Sequence, residues 1–311
     1  MEFLQAILVT PFVSMWENPE FLLEVIIGGL LTGVMYSLVA LGFVLIYKAS
    51  GVFNFAQGTM VLFAALTFVG LLERGLPIWA SFLVAALAMI AIAFLIERFM
   101  LRPLVNQEPI ILFMATIGLT YLLDGFGEIV WGGDVHPLDI GIPNDPLMIG
   151  GILVNEFDLV AALVCGVLVA GLAVLFQKTA IGRALRAVAD DHQAALSVGI
   201  PLKTIWVIVW SVAGIVGLVA GILWGSNLGV QFSISLVALK ALPVLILGGL
   251  TSVPGAIVGG LIVGSGEKVA EVFWAPATGG AIEDWFAYAL ALIFLLFRPQ
   301  GLFGERIIER V

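Results

Sequence analysis

Charge is what this sequence has least of: Asp, Glu, Lys and Arg together make up 11% of its 311 residues, while 61% are hydrophobic. Soluble domains carry about 25% charged residues, so this chain cannot clothe itself for water. No Lys or Arg precedes Lys48, so the basic start of a cleavable secretory signal is missing and the N-terminus is expected to stay on the mature protein. The single cysteine, Cys165, has no partner for an intrachain disulfide and reads as a small buried apolar residue. The only two histidines, His136 and His192, have no Cys or second His at ligand spacing, so no metal site is expected. No G-x-x-x-x-G-K-[ST] phosphate cradle occurs, so any ATP used must be bound by another subunit. No nucleophile, base and orienting group suggest themselves as a catalytic set, and none is expected. The net charge of −9 would suit a basic partner, but in a membrane protein the distribution of charge matters more than its sum, and no nucleic-acid partner is expected.

What is present is length without charge. Uncharged stretches at 25–47, 49–72 and 75–96 each approach the roughly 20 helical residues that cross a hydrocarbon core of about 30 Å. Two more, 204–239 and 241–266, together hold three further passes with their turns. A β-barrel would need short strands alternating apolar and polar, whereas these runs are apolar on every face. The expected fold is therefore all-α, a polytopic transmembrane bundle of about 8–10 spans, placed at 25–47, 53–72, 76–97, 109–131, 157–176, 204–226, 234–250, 254–270 and 281–298. The Gly-Gly, Pro254 and Gly-Gly signals in 248–260 mark either a tight turn or a re-entrant break.

The placement of the cations supplies an orientation. Lys178, Arg183, Arg186 and Lys203 share the polar stretch 177–203, which the positive-inside rule puts in the cytoplasm. Counting outward from it leaves the N-terminus and the loop 132–156, with Asp134, Asp139, Asp145 and Glu156, outside, and the tail with Arg306 and Arg310 in the cytoplasm. Ten of the cations then lie inside, Arg74 and Lys268 outside and Lys240 within a span. Trp131, Trp210, Trp224, Trp274 and Trp285 fall near expected span ends, where headgroups favour such rings. The 36 glycines read mainly as helix-packing residues, Gly217 and Gly221 having small-x-x-x-small spacing.

Within the cytoplasmic stretch, 182–200 reads as one short alanine-rich helix, with Arg186 and Asp190 four apart to pair and Gly199 and Pro201 as stop signals. Such a helix is either a linker or a surface for docking into a partner's groove. Its segment Gln193-Ala194-Ala195-Leu196-Ser197-Val198-Gly199 resembles the EAA-x-x-x-G loop of ABC-transporter permeases, with Gln193 in place of the usual Glu. Asn54-Phe55-Ala56-Gln57-Gly58 and Gly248-Gly249-Leu250-Thr251-Ser252-Val253-Pro254-Gly255-Ala256 resemble the narrower group of LivH-type permeases of branched-chain amino-acid importers. The likeness extends through 29–48 and the segment starting Gly182-Arg183-Ala184-Leu185-Arg186-Ala187, so it covers most of 25–300.

That resemblance implies an ABC-importer permease type in a bacterial inner membrane, surrounded by lipid. It also implies a second related permease subunit, two ATPase subunits that hydrolyse the ATP, and an extracytoplasmic solute-binding protein. No cofactor is expected on this chain. The implied organisation is an extracytoplasmic segment 1–24, a permease domain 25–298 carrying the ATPase-coupling loop 177–203, and a cytoplasmic tail 299–311, with Arg186, Asp190, Gln193, Ala194, Ala195 and Gly199 as coupling residues.

A path for such a solute must accept an apolar side chain and a zwitterion, so its polar groups face the bundle interior. Asn54 and Gln57 are one turn apart beside Gly51 and Gly58, where backbone groups could leave helical form. Thr116, Thr120 and Asp124 make a stripe on one helix face. Helix packing explains either set equally well. Lys240 and Asp124, costing about 2.5–3.5 kcal/mol at a bilayer centre, require partners, water or a position near an interface. An ion-driven secondary transporter, using Asp124, Glu128 or Lys240 as the protonated group, is the rival reading.

Overall fold

The computed structural model describes residues 2–105, 107–190 and 192–304; Arg306 and Arg310 of the expected tail lie outside them, as does the side chain of Gln193. In chain order the elements are helices α1 (Glu2–Leu8), α2 (Thr10–Glu17), α3 (Pro19–Ser50), α4 (Gln57–Glu73), α5 (Ile78–Ile96) running into a π-helical turn (Glu97–Leu101), and α6 (Pro109–Trp131). A hairpin of strands β1 (Pro146–Ile149) and β2 (Ile152–Asn155) follows, then α7 (Glu156–Lys178), α8 (Ala180–Asp190), α9 (His192–Ser197) and α10 (Leu202–Leu228). A 3₁₀ turn (Phe232–Leu236) leads into α11 (Val237–Gly248), and α12 (Val253–Thr278) and α13 (Phe286–Phe297) complete the described chain.

Every expected span coincides with a helix, but the helices are not equal. Among the described residues five helices are long and apolar enough to cross a membrane, including Pro19–Ser50 and Leu202–Leu228. The pair Phe232–Gly248 and Val253–Thr278 passes the same test together while bending by 115° at its break, the geometry of a broken span or of a re-entrant loop. Gln57–Glu73 and Phe286–Phe297 are shorter apolar helices. The sequence reading missed α1, α2 and the hairpin. In the hairpin Pro146 pairs with Asn155 and Ile149 with Ile152, and Gly150 and Gly151 at φ 63° and 91° make the two-residue turn such a register needs.

The chain divides into two units. The first comprises 1–37, 141–166 and 240–311. Its central feature is the crossing of α3 and α12: a Cβ on Gly33 would meet the Gly260 carbonyl oxygen at 2.5 Å, and one on Gly264 would meet the Gly29 oxygen at 2.6 Å. Each helix contributes a G-x-x-x-G pair, so the backbones touch where any side chain would hold them apart. Ser37 adds hydrogen bonds to the carbonyls of Gly33 (2.8 Å) and Ile257 (3.2 Å). α11 and α12 meet as closely, through Gly248 and Gly255. Ser252 caps α12 by accepting from the Gly255 amide at 3.0 Å. The N-terminal helices lie against α12: the Trp274 indole donates to the Ile7 carbonyl at 3.1 Å and stacks edge-on with Phe12. In the same unit the Glu24 carboxylate accepts the Leu153 amide of the hairpin at 2.8 Å, and Cys165 is fully buried.

The second unit comprises 38–140 and 167–239. Its axis is α4, in which residues 57–70 are all buried. A helix apolar all round is one enclosed all round, and α4 packs against α5, α6 and α10. Gly217 and Gly221 of α10 lie on Val61, and a Cβ on Gly221 would meet the Val61 oxygen at 2.6 Å, so this pair does serve close packing. Trp210 departs from the headgroup placement expected for it. It is fully buried within α10, because the span begins at Leu202 and leaves Trp210 two turns inside.

Candidate functional site

Asn54 and Gln57 stand at the break between α3 and α4, both buried. Asn54 Oδ1 accepts the Ala56 amide at 3.1 Å, an Asx turn that lets the chain leave one helix and begin the next. Its amide donates to Gln57 Oε1 at 3.3 Å, and Gln57 Nε2 donates to the Ala213 carbonyl of α10 at 3.5 Å. Gly42 and Gly58 are small for steric reasons. A Cβ on Gly42 would meet Gln57 Nε2 at 2.5 Å, and one on Gly58 the Ser235 oxygen at 2.1 Å.

Thr116 joins this group from α6. Its hydroxyl, fully buried, lies 3.3 Å from the Phe53 carbonyl and 2.8 Å from that of Phe113, and accepts the Phe55 amide at 3.4 Å. Rings of Phe43, Phe53, Phe55 and Phe113 pack in succession around it, with centroids 4.7 to 5.2 Å apart. Thr120, one turn on, donates back to the Thr116 carbonyl at 3.0 Å. Asp124, next on the face, is half-buried. Thr116, Thr120 and Asp124 follow one another along α6. Asn54, Gln57 and Thr116 converge at the break, from which Gln57 also reaches α10, while Thr120 and Asp124 extend away from it.

The polar stretch between α7 and α10 is helical on both sides of Asp191, which lies outside the described residues: α8 runs up to it and α9 on from it. Arg186 does not pair with Asp190. Its guanidinium donates to the carbonyls of Phe176 and Gln177, oxygens at the end of α7 that lack helical partners, while Asp190 is exposed. Gly182 fits where a Cβ would strike the Phe176 oxygen at 2.1 Å, which closes α8 onto the end of α7. Leu185, Val188 and Ala195 are buried, whereas Leu196 and Val198 are 54% and 73% exposed, so an apolar edge remains after the pair has packed. Gly199, at φ 84°, ends α9, and the Ile200 amide returns to the Ala195 carbonyl at 3.0 Å.

In the first unit Lys240 finds the partner its position demands. Its ammonium lies 3.0 Å from Glu267 Oε1 on α12, and the same oxygen accepts from the Tyr36 hydroxyl of α3 at 3.4 Å. Sequence reasoning singled out Lys240 and missed Glu267. The signal was present, because the two residues are the charges that bound the uncharged run 241–266, and a chain folding back at Gly249 brings its ends together.

The family described as "Branched-chain amino acid transport system / permease component" matches residues 25–297. BraD of Pseudomonas aeruginosa, a high-affinity branched-chain amino acid transport system permease protein, is 29% identical, over 93% of this chain and 98% of its own. LivH of Escherichia coli K12, named in the same terms, is 27% identical over 96% of this chain and all of its own length. Among solved structures, PsaBC from Streptococcus pneumoniae in complex with Fab matches with a TM-score of 0.50 at 15% identity, covering 88% of this chain and 91% of that one, a likeness of fold. The chain spans helices long and apolar enough for a membrane and belongs to the branched-chain amino acid transport permease family.

Proposed function

We propose that this chain forms half of the translocation pathway of an ATP-driven importer for branched-chain amino acids, paired with a second related permease and served by two ATPase subunits and a solute-binding protein. The observation that carries the coupling is the helix pair α8–α9. It buries Leu185, Val188 and Ala195 while leaving Leu196 and Val198 bare, an apolar edge suited to a groove in a partner. ATPase closure moves this pair and, through it, α10, so that transport follows from the differential stability of two states. Ala194, Ala195 and Gly199 form the docking segment, Arg186 ties it to α7, and Asp190 and Gln193 border it.

The polar stripe divides in this reading. Asn54, Gln57 and Thr116 hold the break in shape, and Thr120 and Asp124, not fully buried, face the solute path. The N-terminus lies outside, the loop holding α8 and α9 in the cytoplasm with the tail, and the membrane is the bacterial inner membrane. The chain binds no nucleotide itself; the ATPases hydrolyse it. Relatives named as transport-system permeases over nearly their full length favour this over the ion-driven carrier. Extraction in mild detergent and mass spectrometry of what co-purifies tests it: two ATPases and a second permease in stoichiometric amount are expected, and a homogeneous chain contradicts it.

A further inference from the structure

The charges gathered around Lys240 have unspent bonding capacity of both signs. A lysine ammonium has three donors, and this one makes a single short contact, 3.0 Å to Glu267 Oε1. The carboxylates of Glu283 and Asp284 stand 3.8 and 3.9 Å away, within Coulombic reach but too far for hydrogen bonds. Glu267 is 3% exposed, and its second oxygen, Oε2, is buried with no hydrogen-bond partner. A buried acceptor left unsatisfied is costly, and native structures keep few of them without a functional reason.

The cluster is also reachable. Exposure rises from 3% at Glu267 through 25% at Lys240 and 45% at Glu283 to 72% at Asp284. The loop presenting Glu283 and Asp284 is held in place: Glu271 Oε2 accepts the amides of Ile282 at 2.7 Å and Glu283 at 3.0 Å. Three carboxylates face one ammonium, so a purely anionic ligand would leave the excess negative charge uncompensated, and a simple amine would leave the lysine donors unspent. Among the described residues no three His, Cys, Asp or Glu side chains gather as a metal site. A ligand carrying an ammonium and a carboxylate on one carbon answers both demands.

We propose that Lys240, Glu267, Glu283 and Asp284 form a recognition site for the zwitterionic head of an amino acid. The solute carboxylate takes the free donors of Lys240, and its ammonium lies among the oxygens of Glu283, Asp284 and Glu267. This rests on the amino-acid import reading and adds to it a site for the head group that all such solutes share, built from residues of the first unit, whereas the stripe around Thr116 belongs to the second.

The test uses the purified importer complex without its binding protein, its thermal unfolding followed with leucine, 3-methylbutylamine, 4-methylpentanoate or sodium chloride added. Leucine is expected to raise the unfolding temperature, and the amine, the acid and the salt are not. The double variant Glu283→Gln/Asp284→Asn, altered only on the exposed loop, is expected to keep its unfolding temperature, lose the protection by leucine and take up leucine about tenfold more slowly at low solute. Protection undiminished in the double variant, or equal protection by the amine or by sodium chloride, overturns the site. If the wild-type complex takes up no branched-chain amino acid, the import reading fails by itself. Glycine, alanine and glycine betaine then judge the site: protection by one of them that the double variant abolishes upholds it, and protection by none overturns it.

Discussion

Lys240 Nζ and Glu267 Oε1 lie 3.0 Å apart, on the two helices that bend by 115° at the break between Gly248 and Val253. The pair closes the angle that the break opens. Its two members are unequally placed, since Glu267 has one cation near it whereas Lys240 has three carboxylates.

That inequality predicts an asymmetric response. Lys240→Met strands a carboxylate that is 3% exposed and should destabilise the protein by about 3 kcal/mol. Glu267→Gln leaves Lys240 beside Glu283 and Asp284 and should cost less. Thermal unfolding in detergent ranks the two, and equal losses would mean that Glu283 and Asp284 do not support the lysine.

The crossing of α3 and α12 predicts which glycines tolerate a side chain. Gly264→Val drives its Cβ into the Gly29 oxygen and Gly33 Cα at 2.6 and 2.5 Å and should cost about 3 kcal/mol or more, seen as loss of folded protein in the membrane. Gly28→Ala, where a Cβ meets nothing within 4 Å, should be neutral or stabilising by up to about 1 kcal/mol. Similar yields of both variants would contradict the close crossing.

How much of this was legible in the sequence follows from range. Runs such as 204–226 declare themselves because hydropathy is local, and Gly199 and Ser252 act on their immediate neighbours. The hairpin had a weak signal, Gly150-Gly151 between apolar residues, that nine apolar spans overshadowed. Arg186 was assigned to Asp190 because helical spacing makes them neighbours, and the stronger claim of the α7 carbonyls depends on a turn at 178–180 that spacing does not show. The stripe Thr116, Thr120 and Asp124 was visible as periodicity. That Thr116 is anchored to the break at Phe53 rests on a contact 63 residues away, beyond any local pattern.

Thr116→Val tests that anchor. It removes a buried hydroxyl that contacts two carbonyls and one amide, leaving the Phe55 amide unsatisfied, at a cost of about 1–3 kcal/mol. Thr120→Val, losing one bond to its own helix, should cost less than about 1 kcal/mol, and in the proposed reading should alter uptake more than stability. Thermal unfolding and leucine uptake measured on both variants separate the two roles, and a reversed ranking would reassign them.

Gly199→Val asks about coupling. With φ at 84°, a β-branched side chain costs about 1–2 kcal/mol and distorts the end of α9. The variant should insert normally and recover less ATPase in a pull-down, as should Leu196→Glu. Unchanged recovery in both would place the ATPase contact elsewhere.

A chain that moves its solute only as part of an ATP-driven complex reveals itself on reconstitution. Proteoliposomes holding the chain with its second permease and ATPases, ATP on the ATPase side and solute-loaded binding protein on the other, should accumulate radiolabelled leucine, and liposomes with the chain alone should accumulate none under an imposed proton or sodium gradient. Gradient-driven uptake by the chain alone would contradict the account.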